Sequence, residues 1–262
     1  MSDAARQLFV EEAGGKGETL IFVHGLGGTV NTWYPQTQIL KRDRQLICYD
    51  LAGSGRSSLE ERISIESHVE DLERIIEQSG AKTVHLAGHS MGTIVCQHLA
   101  VKSPERVASM MLVGAFGEPP EAARDAIRQR AEKVRSGGMR AIADAIAAAG
   151  TSSDSKVNHP AAVAFVRESL MAQNPEGYAR NCEALADARA ADLSRVGCPV
   201  LLITGEEDRS APVAVARSLD SALVDSELQL LPGCGHWATV ERPKQVNYLM
   251  SLFTARQRRK SA

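Results

Sequence analysis

Short apolar runs alternate with longer amphipathic segments along most of this chain. The runs hold four to seven residues, a length and composition typical of β-strands buried on both faces. A more polar run near the start is a plausible first strand. We expect strands at Gln7–Glu12, Thr19–Val23, Gln45–Tyr49, Val84–Ala87, Val107–Val113, Val200–Thr204 and Glu227–Leu231.

The segments between the runs carry apolar residues at helical spacing. In Glu66–Gln78 the residues Val69, Leu72 and Ile75 share one face, and Gly80 follows the end. Strands that alternate with helices predict an α/β fold with a mostly parallel, doubly wound sheet. The predicted helices of this alternating part are Thr32–Leu40, Glu66–Gln78, Thr93–Val101, Val213–Leu219 and Pro243–Ala255.

The alternation stops between residues 117 and 192. Four helical patterns follow one another there without a strand, and a polar turn at Thr151–Pro160 separates the first two from the last two. We interpret residues 117–192 as a helical cap inserted into one domain, whose core comprises 1–116 and 193–262. The predicted cap helices are Glu121–Ser136, Met139–Ala149, Ala161–Met171 and Pro175–Ala188.

One strand runs directly into a helix, at the sequence Gly88-His89-Ser90-Met91-Gly92. Such a corner is very tight, and the two glycines remove side chains that would collide in it. The corner residue, Ser90, is expected to have a strained backbone and a hydroxyl that projects above the sheet, beside the positive end of the following helix. This layout is typical of a nucleophilic serine, although the five-residue pattern alone is weakly specific.

Glycines also follow the second predicted strand, in His24-Gly25-Leu26-Gly27-Gly28. Glycines at the carboxyl end of a buried strand allow backbone to approach a ligand closely. The N–H groups of Leu26 and Met91 are therefore candidate donors to an oxyanion. Asp50 ends the next strand, and we favour a carboxylate that bonds loop backbone there over a catalytic one.

A serine hydroxyl needs a base, and a histidine base needs a carboxylate to orient it. His236 is the best candidate base, because it lies on a glycine-flanked loop after the last strand; a histidine that caps the final helix is the alternative. Asp208, at the turn after the preceding strand, is the best candidate acid. Its rivals are Glu206, Glu207 and Glu118.

Composition narrows the setting of this chemistry. The chain has 262 residues, 44% of them hydrophobic, and a net charge of −2, which argues against nucleic acid as a partner. Residues Met1 to Val10 lack the apolar run of a signal peptide, and no stretch approaches the ~20 apolar residues of a membrane span. Five widely spaced cysteines without a C-x-x-C motif, and no ligand spacing typical of a metal site, favour a cytoplasmic protein without disulfides or zinc.

Taken together, these motifs resemble the α/β-hydrolase family over nearly the whole chain. The chain order Ser90, Asp208, His236 is the order of that architecture. Two stretches look more narrowly like the 3-oxoadipate enol-lactonase and carboxylesterase branch: His24 to Gln36, and Asn174 to Ala179 in the cap. The motifs that carry the wider resemblance are His24-Gly25-Leu26-Gly27-Gly28, Asp50-x-x-Gly53-x-Gly55-x-Ser57, Gly88-His89-Ser90-Met91-Gly92, Gly205-x-x-Asp208 with Pro212, and Gly235-His236 with Glu241-Arg242-Pro243.

The resemblance implies a serine hydrolase that cleaves a carboxylic ester or lactone through an acyl-enzyme and needs no cofactor. Thr93 departs from the pattern, since many relatives carry glycine just after the corner. We expect the substrate pocket to lie between cap and core, lined by Trp33, Phe165 and Trp237 together with Met91.

Other functions fit the same motifs. A C–C bond hydrolase acting on vinylogous diketones and a cofactor-free haloperoxidase would have a similar sequence, and some relatives are non-catalytic receptors of small ligands. A purely structural or interaction protein has the least support, because the chain contains no repeat. The expected partner is a small molecule and not a membrane, and the chain is a possible homo-oligomer.

Overall fold

The computed structural model of the protein describes residues 7–15 and 17–261, with backbone alone for 258–261. The first six residues of the polar stretch Met1 to Val10 lie outside this range. Within it, no helix is both long and apolar enough to cross a bilayer.

Seven strands form one sheet in the described part of the chain, in the order β1-β3-β2-β4-β5-β6-β7. Every neighbouring pair is parallel except β1 and β3, which are antiparallel. The predicted mostly parallel sheet is confirmed, whereas the first strand begins three residues later than predicted and is an antiparallel edge. The strands are β1 (Val10–Gly14), β2 (Thr19–Val23), β3 (Gln45–Tyr49), β4 (Val84–His89), β5 (Val107–Val113), β6 (Val200–Gly205) and β7 (Ser226–Leu231).

Helices cover both faces of this sheet, as the term doubly wound requires. The first helix, α1, is preceded by a short 3₁₀ turn, Val30–Trp33. The helices are α1 (Tyr34–Leu40), α2 (Ile65–Ser79), α3 (Met91–Lys102), α4 (Glu121–Gly137), α5 (Ala143–Gly150), α6 (Ser153–Asn158), α7 (Pro160–Met171), α8 (Pro175–Asp187), α9 (Val213–Ala222), α10 (Ala238–Glu241) and α11 (Pro243–Ser261).

Alternate residues of each strand enter different hydrophobic clusters. On β2, Ile21 and Val23 pack with α2, α3 and the helices after β5, whereas Leu20 and Phe22 pack with α1 and α11. This two-sided burial explains why the strands are continuous apolar runs and do not alternate with polar residues. Because β2 to β7 are parallel to one another, their carboxyl ends share one rim of the sheet.

The chain from β5 to β6 contains only helices among its regular elements, and we call Glu121–Asp187 the cap. The predicted polar turn at Thr151–Pro160 is wrong, because Ser153–Asn158 forms the short helix α6. The Ser152 hydroxyl accepts a hydrogen bond from the Ser155 N–H and so caps this helix. Ser152, one of the polar residues that suggested a turn, is thus the N-cap of a helix.

Candidate active site

Ser90 occupies the corner between β4 and α3 and is the only non-glycine residue with positive φ in the described range, with φ 52° and ψ −122°. Such a conformation costs about 1–3 kcal/mol and persists only where its surroundings enforce it. Here the Ser90 N–H donates to the Val113 carbonyl over 2.9 Å, and the Ser90 carbonyl accepts from the Thr93 N–H and hydroxyl over 2.8 and 2.6 Å. Thr93, the departure from the family pattern, thus binds the corner it follows.

The two glycines of this motif are required by close packing. A Cβ atom on Gly92 would lie 2.3 Å from the Val23 carbonyl oxygen, and one on Gly88 would lie 2.8 Å from the Gly92 oxygen. Neither contact is possible without moving backbone. The absence of a side chain at Gly92 lets the helix begin directly against β2, and its absence at Gly88 lets the helix turn back over β4.

Three distant residues form one hydrogen-bonded line above the rim of the sheet. The Ser90 Oγ lies 2.8 Å from His236 Nε2, and His236 Nδ1 lies 2.8 Å from Asp208 Oδ2. The other oxygen of Asp208 accepts the N–H groups of Ser210 and Ala211, each over 2.8 Å. With Nδ1–H donating to the carboxylate, Nε2 is left to accept from the serine hydroxyl.

All three side chains are nearly buried, with 8% of Ser90, 7% of His236 and 4% of Asp208 exposed. Burial disfavours a charged imidazole, but the charge and hydrogen bond of Asp208, together with the charge of Glu241, outweigh it, so the pKa of His236 lies above its ordinary value. For Asp208, burial acts to raise the pKa, but the charge and hydrogen bond of His236 hold it below the ordinary value. The pair therefore keeps the carboxylate ionised and makes the imidazole a stronger base.

The rival acids are engaged elsewhere. Glu118 pairs with Arg124 over 3.0 Å, Glu207 accepts the Ser153 N–H over 2.8 Å, and Glu206 is exposed. Among the hydrogen bonds of the described residues, none joins these carboxylates to the imidazole. Of the candidates weighed from the sequence, the fold brings Asp208 to the histidine.

Asp50 bonds loop backbone, as the sequence favoured. One of its buried oxygens accepts the Val30 N–H over 2.7 Å and the other accepts the Arg56 N–H over 2.9 Å. Gly55 makes this possible, because a Cβ there would lie 2.2 Å from the second oxygen. The carboxylate thereby ties the loop after β2 to the loop after β3.

The two candidate oxyanion donors flank the serine. Gly25 and Gly28 close a tight turn, with the Gly28 N–H donating to the Gly25 carbonyl over 2.9 Å. The Leu26 N–H at the first central position of this turn, and the Met91 N–H at the start of α3, have no acceptor among the described residues. A Cβ on Gly25 would lie only 2.6 Å from Ser90 Cβ, so this turn packs directly on the corner.

His24 fixes that turn in a way that sequence reasoning did not specify. Its Nδ1–H donates to the Gly25 carbonyl over 2.8 Å, and its Nε2 accepts the Leu51 N–H over 2.9 Å. Burial lowers the pKa of this imidazole, which favours the neutral form that can both donate and accept.

His89 is the second histidine that flanks the site. Its Nε2–H donates to the His236 carbonyl over 3.0 Å, and burial followed by the nearby His236 lowers its pKa to about 3. It is therefore neutral at physiological pH and adds no charge beside the candidate base.

The predicted pocket residues do not share one place. Trp33 is fully buried in the cluster beneath the sheet, 5.1 Å from the Phe22 ring and edge-on to His89, so it supports the corner from below and we do not assign it to the pocket. Trp237 is buried on the cap side, 5.1 Å from the His89 ring, and Phe165 is partly buried against the same cluster. In the sequence Trp33 comes shortly after the glycine-rich loop, but its ring packs on the face of the sheet opposite to the cap.

Three cap residues to which sequence reasoning gave no role reach the candidate oxyanion turn. A Cβ on Gly27 would lie 2.5 Å from Leu170 Cδ2 and 3.3 Å from Tyr178 Cε2, and the Ser169 hydroxyl donates to the Gly27 carbonyl over 2.7 Å. Tyr178 belongs to the stretch Asn174 to Ala179, which was singled out by resemblance without a role. These contacts place the cap directly over the turn.

No group of three or more His, Cys, Asp or Glu side chains within the described residues could hold a metal ion. The arrangement contains the elements needed to activate a hydroxyl: an oriented imidazole, a carboxylate behind it and two free N–H groups.

Comparison with known proteins is consistent with this geometry. A family model described as the alpha/beta hydrolase fold matches residues 18–243. RutD of Shigella flexneri, which carries a provisional carbamate-hydrolase name, is 27% identical over 244 residues, covering 88% of this chain and 89% of RutD.

Two solved structures share the fold over almost their whole length. A thermophilic esterase from Thermogutta terrifontis has a TM-score of 0.90 and 25% identity, covering 95% of this chain and 93% of the esterase. The enol-lactonase from Burkholderia xenovorans LB400 has a TM-score of 0.87 and 25% identity, covering 95% of this chain and 96% of the lactonase.

Proposed function

The chain belongs to the α/β-hydrolase family, and on that premise we propose that it is a serine hydrolase of carboxylic esters or lactones. One observation carries the proposal: Ser90, His236 and Asp208 are joined by two hydrogen bonds of 2.8 Å at the rim of the sheet. Buried hydroxyls and imidazoles are common, but this ordered line beside two unused N–H groups fits acyl transfer.

In the proposed reaction the Ser90 oxygen attacks the carbonyl carbon while His236 Nε2 takes its proton. The negative charge that develops on the carbonyl oxygen is held by the N–H groups of Leu26 and Met91. The imidazolium, stabilised by Asp208, then protonates the leaving oxygen, and the C–O bond breaks to give an acyl-serine. Water attacks the acyl group, His236 takes a proton from the water, and the acid is released as the serine hydroxyl is restored.

The named relatives support esters and lactones as the substrate class. The two solved relatives above are an esterase and an enol-lactonase, and both align over nearly the whole chain. For a lactone the leaving oxygen remains attached to the acyl group, so a single product leaves after hydrolysis. We propose an enol-lactonase-like substrate as the narrower choice, a small-molecule partner and a cytoplasmic location.

A carbamate is the second candidate, favoured by the similarity to RutD. The same serine and the same oxyanion donors would act on a carbamate carbonyl, with the leaving group as the difference. A substrate panel of enol-lactones, short-chain and long-chain esters, a carbamate and a vinylogous diketone would separate these classes by product analysis.

The proposal is tested with Ser90→Ala and p-nitrophenyl acetate. We expect the parent to hydrolyse this ester and the folded variant to lose activity by far more than 10-fold, since loss of a triad nucleophile typically costs about 10⁶ in kcat. A matched control is Ser109→Ala, because Ser109 is also buried and hydrogen-bonded to a histidine, His85, over 2.8 Å, but lies within β5. Activity of the Ser90 variant within ~10-fold of the parent would reject Ser90 as the nucleophile.

A further inference from the structure

Glu241, at the end of α10, has a carboxylate that is buried and heavily hydrogen-bonded. Only 2% of the residue is exposed. One oxygen accepts the N–H groups of Ser152 and Gly235 over 2.8 and 3.1 Å, and the other accepts the Trp237 N–H over 3.1 Å. Three backbone donors from two separate segments thus converge on one side chain.

No cation lies within ion-pair distance of this carboxylate among the described residues. The neighbouring Arg242 guanidinium donates to Asp154, to the Gly233 carbonyl and to the backbone oxygen of Glu241, and not to the side chain. An ionised carboxylate in such a place depends on its hydrogen bonds for its stability. The three amide groups therefore compensate for the water it has lost.

Two of the three donors lie on either side of the candidate base in the chain. Gly235 and Trp237 both donate to Glu241, and the N–H of His236 between them donates to the Gly150 carbonyl over 2.8 Å. We call residues 235–237 the histidine loop. Gly150 ends cap helix α5, so the cap supplies one of the acceptors that fix the histidine loop.

The loop and the cap are also interlocked sterically. A Cβ on Gly235 would lie 2.7 Å from the Gly150 oxygen, 2.8 Å from the Ser152 nitrogen and 2.9 Å from Glu241 Oε1. A Cβ on Gly150 would in turn lie 3.0 Å from Trp237 Nε1. Displacement of either segment would therefore disturb the other.

We propose that Glu241 is a positioning residue whose carboxylate holds the backbone on both sides of His236 and ties it to the cap segment Gly150–Ser152. One buried group then contributes both to the placement of the base and to the seating of the cap. The inference rests on the proposed function, because it assigns Glu241 a role in placing that reaction's base.

The charge of Glu241 also acts on the imidazole. Burial disfavours the charged form of His236, Asp208 opposes this most strongly, and Glu241 adds to the rise in pKa. The remaining titratable group that faces the imidazole, His89, has a pKa of about 3 and is neutral. Removing the Glu241 charge is therefore expected to lower the pKa of His236.

The experiment compares Glu241→Gln and Glu241→Asp with Glu207→Gln as the matched control. The Glu207 carboxylate accepts from Ser153, the residue after Ser152, so Glu207→Gln alters a carboxylate contact next to the same cap segment without altering a side-chain contact to the histidine loop. The readouts are kcat and KM on p-nitrophenyl acetate, circular dichroism, and the His236 imidazole titration followed by NMR in ¹⁵N-histidine-labelled full-length protein.

We expect Glu241→Gln to lower kcat by about 10–100-fold, because a displacement of about 1 Å can cost that much, with a smaller change in KM. The His236 titration should move to lower pH. Glu241→Asp keeps the charge on a shorter side chain, so kcat should fall while the His236 titration stays closer to that of the parent. Glu207→Gln should match the parent in kcat and in the His236 titration.

A folded Glu241→Gln protein with the parent's kcat and His236 titration would overturn the proposal. If that variant does not fold, Glu241→Asp provides the kinetic test, and parental kcat there would overturn it equally. The NMR titration requires no turnover, so it tests the positioning role of Glu241 independently of the proposed function. If the parent has no esterase activity but its His236 titration still responds to Glu241→Gln, the proposed function is rejected and the positioning role of Glu241 is retained.

Discussion

Gly25→Ala is the substitution that most directly tests the geometry of the oxyanion turn. The backbone of Gly25 lies outside the left-handed region that favours glycine, so the main effect of alanine there is steric. The new Cβ would lie 2.6 Å from Ser90 Cβ and 2.8 Å from the His89 oxygen. Carbon atoms prefer a separation of about 3.6 Å, so the turn or the serine must move by about 1 Å.

The size of the effect follows from what such a movement changes. Overpacking of this kind typically costs about 1–3 kcal/mol, which a domain with a stability of about 5–15 kcal/mol tolerates, so the variant should fold. The Leu26 N–H is adjacent to the inserted methyl group, and the loss of one oxyanion donor typically reduces kcat by about 10²–10³-fold. The activity should therefore fall far more than the folded population.

The assay is kcat on p-nitrophenyl acetate, with thermal unfolding as a measure of folding. Gly197→Ala serves as the control, because a Cβ at Gly197 meets no atom within 4 Å. A Gly25→Ala protein within about 3-fold of the parent's kcat would refute the assignment of this turn, since a misplaced donor costs at least about 10²-fold.

Two further substitutions test the line of side chains and its corner. Asp208→Asn should reduce kcat by about 10⁴-fold, and far more than Glu207→Gln, because the amide no longer stabilises the imidazolium; the reverse order would reassign the acid. The value of kcat/KM should increase with pH as His236 loses its proton and becomes the neutral base. In the parent the midpoint of this increase should lie above pH 6.5, the ordinary pKa of a histidine, and in Asp208→Asn it should move to lower pH. Thr93→Val removes the hydroxyl bond to Ser90 but leaves the Thr93 N–H bond of 2.8 Å, so unfolding free energy should change by no more than about 1 kcal/mol and kcat by less than 3-fold; a 10-fold loss of kcat would show that the hydroxyl sets the corner.

The features that were predictable from sequence are those with a local cause. Strand β5 was predicted at Val107–Val113 and lies there, because a continuous apolar run buried on both faces has few alternatives. The sharp turn at Ser90 followed from its glycines, and the favoured role of Asp50 followed from its position at a loop.

What sequence reasoning missed depends on distant parts of the chain meeting. Trp33 was expected in the pocket, but the 3₁₀ turn directs its ring to the opposite face of the sheet. Glu241 was recognised only as part of a family motif, because its three donors come from positions up to 89 residues away. No periodicity encodes such a convergence, whereas Gly235 next to His236 was a visible sign that backbone packs closely there.

The strained backbone at Ser90 has a consequence for the natural history of the protein. A residue held at φ 52° works against stability, so glycine at the same position would relax the chain at the expense of its hydroxyl. A mutation to glycine would therefore favour stability, and only a need for the hydroxyl would oppose it. A serine at this strained position is thus an argument, independent of the hydrogen bonds around it, for the chemical role that we propose.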